Sequence, residues 1–115
     1  MNHTEIISSE KLLTKFKQYL LFEKALSAST MEAYVHDVEK LITHLCNTNK
    51  TPTEAKLDDL ECFLASLHDE QIGTRSQARI LSGIRAFYRF LVIDGYIEAD
   101  PTLLLESPKI GIKLP

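Results

Sequence analysis

Apolar residues recur at intervals of three and four in four separate runs of this chain. The first comprises Leu12, Leu13, Phe16, Tyr19 and Leu20; the second runs from Met31 through Tyr34, Val35, Val38, Leu41, Ile42 and Leu45 to Cys46. Leu57, Leu60, Phe63, Leu64 and Leu67 form the third, and Ile80, Leu81, Ile84, Phe87, Tyr88 and Leu91 the fourth. That period belongs to a helix with one buried stripe. No segment shows a sustained alternation of apolar and polar residues, so strands are not expected. The fold class that follows is all-α: a compact orthogonal bundle of four main helices with a short C-terminal helical turn.

Local signals place the helix ends. The first helix begins near Ser9 and Glu10 and stops near Lys24 to Leu26. Ser29 with Glu32, and Thr74 with Gln77, have the spacing of capping boxes and predict the starts of helices two and four. Asn47 to Lys56 is expected to be a linker, because Pro52 cannot continue a helix. Asp58 and Asp59 suit the positive end of helix three. Gly95 follows helix four as a natural terminator, and Asp100-Pro101 starts the last turn, through Leu103 to Leu105. The expected organisation is a flexible stretch over 1–8, a helical domain over 9–106, and over 107–115 the start of a linker to an absent C-terminal catalytic domain.

Composition narrows the function without deciding it. The chain has 115 residues, formal net charge −3 and a pI near 5.8, which argues against a general nucleic-acid-binding protein but not against a local basic face. No apolar run is long enough for a membrane span or signal peptide, so a cytoplasmic protein with reduced Cys46 and Cys62 is expected. Both thiols fall at apolar helical positions and read as small hydrophobes. No zinc spacing, phosphate-binding glycine loop or nucleophile elbow is present, and His44 and Cys46 diverge on their helix. His36, His44 and His68 read as surface or partly buried. Tyr34 and Tyr88 lie on apolar stripes and read as core residues. No cofactor, metal or catalytic residue is expected in this chain.

The fourth helix carries the candidate chemistry. Arg75, Arg79, Arg85 and Arg89 lie on its polar side or flanks, with Ser82, Gly83 and Ala86 between them and no acid before Asp94. An ordinary solvated face mixes signs, whereas this one suggests an external anion, with phosphate the obvious candidate and a surface low enough for a backbone to approach. The hydroxyls and free amides of Ser27, Ser29 and Thr30 at the start of helix two could meet a phosphate or a base edge. Arg75 and Ser76, after the capping Thr74, occupy the first turn of helix four, the part that a groove-entering helix presents to bases. Two functions fit: a double-stranded DNA-binding domain, or a helical protein-interaction module whose arginine face meets an acidic partner.

The ordered segments LSASTMEAYVHDVEKLITHL, LDDLECFLASL and TRSQARILSGIRAFYRFLVIDGYIEADPTLLLESPK, with a final LP, resemble the N-terminal core-binding domain of Xer-type tyrosine recombinases, a SAM-like integrase domain. The resemblance implies half of a clamp, in which this domain and a catalytic domain embrace duplex DNA and helices two and four face the major groove. Thr30 and its neighbour Ser29, with Thr74, Arg75, Ser76 and Arg79, would supply base and phosphate contacts; Arg85 and Arg89 would be phosphate or structural residues. Lys109 and Lys113 would belong to the interdomain linker. Val35-His36 stands where the family often carries basic residues, which implies weaker phosphate attraction by this fragment. The parent would be a recombinase that cuts and rejoins DNA through a phosphotyrosyl link and assembles as a tetramer on DNA. Its nucleophilic tyrosine and activating residues belong to the absent domain, and this chain alone is expected to be a monomer.

Overall fold

The computed structural model describes residues 8–105. Its helices are α1 (Ser9–Gln18), α2 (Ala28–Asn47), α3 (Leu57–Asp69) and α4 (Thr74–Ile93). A π-helical turn over Tyr19–Glu23 extends α1, and a 3-10 turn over Pro52–Glu54 precedes α3. Among the described residues there is no strand. The four expected helices are therefore present, while the expectations for 1–7 and 107–115, Lys109 and Lys113 included, lie outside the described residues.

The four apolar stripes meet in one core, with α4 at its centre. Val38, Leu41 and Leu45 of α2, Leu60, Phe63 and Leu67 of α3, and Ile80, Ile84, Phe87 and Leu91 of α4 are all buried. Phe16 anchors α1 to α4: its ring lies 5.2 Å from Phe87, edge to face, and 5.8 Å from Phe90. The most extensive helix pair is α2 with α4.

The stretch read as a linker is docked. Pro52 is buried, and the Tyr88 hydroxyl donates a 2.7 Å hydrogen bond to its carbonyl. Asp59 secures the same corner by accepting from the Lys56 amide at 2.9 Å and from Lys50 Nζ at 3.1 Å. The Lys56 amide, more than the Lys50 ammonium, holds the Asp59 carboxyl below its ordinary pKa. Spacing could not show the docking of Pro52 or the Lys50 contact, because Tyr88 comes from α4 and Lys50 from the turn that follows α2.

Both predicted capping boxes are misplaced. Ser27, not Ser29, caps α2: its Oγ accepts from the Thr30 amide at 3.2 Å and donates to Thr30 Oγ1 at 3.1 Å. Ser29 and Thr30 therefore lie inside the first turn. At α4 the cap is Gly73, without a side-chain bond, and Thr74 is the first helical residue. Gln77 points inward, where its Nε2 donates to the Ile72 carbonyl at 2.7 Å; that bond locks the α3–α4 connection instead of closing a box. Ser27→Ala is expected to lower stability by about 1 kcal/mol, and Ser29→Ala to stay within about 0.5 kcal/mol of the parent, as read by urea denaturation. Equal losses would restore the predicted cap.

The cysteines also depart from expectation. Cys46 and Cys62 are both exposed and unpaired: each directly adjoins a buried stripe residue, Leu45 or Phe63, and is turned off the stripe by the helical step of about 100°. Among the described residues no helix is long and apolar enough to cross a membrane, and no group of three or more His, Cys, Asp or Glu side chains could hold a metal ion.

Candidate nucleic-acid interface

Along α4 the residues Arg75, Arg79, Ser82, Ala86 and Arg89 recur at steps of four, three, four and three, so they share one face. Arg75, Arg79, Ser82 and Arg89 are exposed or partly exposed and Ala86 is half-buried. At 1.5 Å per residue the stripe is about 21 Å long from Arg75 to Arg89. Arg85 is off this line by roughly a quarter turn, and its guanidinium donates to the Leu105 carbonyl, tying the C-terminal turn to α4. Of the two roles open to Arg85, the described contacts supply the structural one.

The arginine with the fullest set of contacts is Arg79. Its Nε donates to Asp37 Oδ2 at 2.9 Å and its Nη2 to Asp37 Oδ1 at 2.7 Å, a bidentate pair between α4 and α2. The Asp37 side chain is 0% exposed while that of Arg79 remains 48% exposed. Hydrogen bonding to the carboxylate raises the guanidinium pKa further above its ordinary value. An anion for the arginine face was expected outside the protein; for Arg79 one is provided from within. Among the described residues neither Arg75 nor Arg89 is in an ion pair.

One turn further on, Gly83 meets Tyr34 of α2. A Cβ built on Gly83 would lie 3.5 Å from the Tyr34 Cα and 3.4 Å from its ring. The close approach expected at Ser82, Gly83 and Ala86 is thus made first by α2 itself, leaving Ser82 and Ala86 as the outward low ground. Asp37 with Arg79 and Tyr34 with Gly83 pair rising numbers on α4 with falling numbers on α2, so the helices cross in an antiparallel sense. Ser29 and Thr30 consequently lie toward the Ala86–Arg89 end of the stripe, and Thr74, Arg75 and Ser76 at its other end. The two helix starts do not converge on one spot; they bracket the stripe. Ser29, Thr30 and Thr74 are exposed and Ser76 is half-buried.

Residues 13–95, from within α1 to just past α4 and including the Asp37–Arg79 crossing, match the family model described as phage integrase, N-terminal SAM-like domain. The chain belongs to this integrase family. It is 36% identical over 103 residues to the tyrosine recombinase XerD of Agrobacterium fabrum, covering 90% of this chain and 31% of that protein. It is 32% identical over 114 residues to the tyrosine recombinase XerC of Oceanobacillus iheyensis, covering 92% of this chain and 35% of the relative. The fold is shared with the integrase of mycobacterium phage Brujita, at a TM-score of 0.74 and 19% identity over 93% of this chain and 35% of that one. The chain spans about a third of the length of these relatives. The matched residues are those of the family's N-terminal SAM-like domain.

Within this integrase domain the tyrosines serve the fold. Tyr88 is buried and bonded to Pro52. Burial, reinforced by the charges of Asp59 and Asp100, drives its phenol pKa well above the ordinary value, the opposite of what an activated nucleophile needs. Tyr34 is half-buried against Gly83. The residue that periodicity and charge leave unmarked is Asp37. It sits between Tyr34 and Val38 on the buried side of α2, and an acid on an apolar stripe demands a cation from another element.

Proposed function

We propose that this domain grips double-stranded DNA through the exposed α4 stripe, with the start of α2 closing one end, while the rest of a parent tyrosine recombinase performs strand cleavage and rejoining. The observation that carries the reading is the stripe itself. Arg75 and Arg89 stand about 21 Å apart with only Ser82, Ala86 and the paired Arg79 between them. The major groove is about 12 Å wide, so two long arginines at that separation reach phosphates on its two sides while the small residues admit the groove edge. Thr30 adds a hydroxyl whose oxygen already accepts from Ser27, leaving its proton to donate outward. The net charge of −3 limits long-range attraction, so contact depends on this local face. Stable grip comes when the catalytic half closes from the other side, and the tetramer forms through that half; this domain alone is a monomer.

The experiment is fluorescence anisotropy with a labelled duplex over a series of salt concentrations. Arg75→Ala and Arg89→Ala are each expected to reduce the slope of log affinity against log salt by about 0.9, and the double variant by about twice that. An unchanged slope in the double variant would reject the stripe as the phosphate-binding face. Binding of an acidic protein but not of DNA would favour the protein-interaction reading.

A further inference from the structure

The three arginines of the stripe are not equivalent, and the difference lies in Asp37. We propose that Arg79 is the base-reading residue of this surface, recognising guanine in the major groove, and that Asp37 is a positioning residue which fixes its guanidinium for that contact. This inference rests on the DNA reading above and assigns a division of labour within it.

A guanidinium has five N–H donors in one plane. Asp37 engages the Nε edge, through Nε and Nη2. That leaves the distal edge intact, with two hydrogens on Nη1 and one on Nη2. The parallel pair along that edge, one from each nitrogen, is the fork that matches guanine O6 and N7. The same side chain can therefore hold a carboxylate on one edge and a guanine on the other. The outer edge is reachable, since the side chain is 48% exposed although its partner is 0% exposed. Its place on the helix is also favourable. Arg79 is followed on the stripe by Ser82 and Ala86, where the surface is lowest, while Arg75 and Arg89 flank it.

Charge points the same way. Arg79 and Asp37 together carry no net charge, so the pair contributes little to counterion release, which depends on cations that neutralise phosphates. What it offers is direction. A planar fork held in one rotamer loses less freedom on binding than a mobile one and tolerates fewer partners. Arg75 and Arg89, unpaired among the described residues, supply attraction without such constraint.

The test is selection of bound sequences from a random duplex library, by the parent domain and by Arg79→Lys, Asp37→Asn and Arg75→Ala. The parent is expected to enrich guanine at one position. Arg79→Lys, which keeps the charge but not the fork, should lose that preference while the salt slope stays within about 0.3 of the parent. Asp37→Asn should lose it too, with a slope equal to or steeper than the parent's because the Arg79 charge is no longer neutralised. Arg75→Ala should keep the preference and lose slope. Replacing the enriched guanine by 7-deazaguanine, which lacks the N7 acceptor, should weaken the parent about tenfold, a readout that involves no protein variant. Binding without any preferred guanine, or a preference indifferent to 7-deazaguanine, would overturn the inference and leave DNA binding intact. A preference retained in folded Arg79→Lys would overturn it too. Absence of any duplex binding by the parent would instead remove the DNA reading, and this inference with it.

Discussion

Arg79→Ala is expected to cost this domain about 2–4 kcal/mol of stability, far more than an exposed arginine normally contributes. The reason is the carboxylate left behind. Asp37 is 0% exposed, and removing one partner of a buried ion pair strands the other in a poorly solvated site, a loss of about 3–5 kcal/mol when both are buried. Here Arg79 is half exposed, so water can partly replace it, which moves the expectation down. For a domain near 100 residues, that corresponds to a fall in melting temperature of roughly 10–20 °C. Arg75→Ala should change the melting temperature by no more than about 4 °C, since surface changes stay within about 0.5 kcal/mol. Combining Asp37→Ala with Arg79→Ala should recover part of the loss, because the stranded charge is gone. Melts in which Arg75→Ala and Arg79→Ala behave alike would mean that the pair has no structural weight.

Phe16→Ala is expected to be at least as damaging, about 3–5 kcal/mol. Its side chain is fully buried and contacts the rings of Tyr19, Phe87 and Phe90, which is how α1 is held to α4. Truncation removes the transfer free energy of the ring and opens a cavity among residues that belong to rigid helices and can collapse only in part. The loss is comparable to the whole stability of a marginal domain, about 5 kcal/mol, so urea unfolding should begin at or near zero denaturant. The nearby Phe22 supplies the contrast. It is 79% exposed, and Phe22→Ala should leave the midpoint almost unmoved. A Phe16→Ala midpoint equal to that of the parent would show that α1 is not held through this cluster.

What is legible in the sequence and what is hidden divide along the range of the interactions. Helix number, order and core stripes follow from period, since burial of one face is imposed on each helix separately. Cap positions do not, because Ser27 and Ser29 are both competent hydroxyls and only backbone geometry chooses between them. Arg79 reads locally as a free cation because its partner is 42 positions away, on a helix whose approach no local pattern reports. One signal is available: Asp37 falls three residues after Tyr34 and just before Val38, inside the buried stripe of α2, where an unpaired carboxylate would be untenable. That acid alone points across the bundle to the arginines. Arg85 offers no such signal, since its acceptor is a backbone carbonyl. The family resemblance is legible because motif order and spacing survive where individual contacts do not show.

Whether the α4 stripe and the start of α2 form a DNA-facing surface is tested most directly by an amide chemical-shift titration of the domain with a short duplex at low salt, repeated at higher salt. Shifts at Ser29, Thr30, Arg75, Arg79, Ser82 and Arg89 that fade as salt rises, with α3 unmoved, are the predicted result. A folded domain in which those amides stay still while duplex is in excess would contradict it.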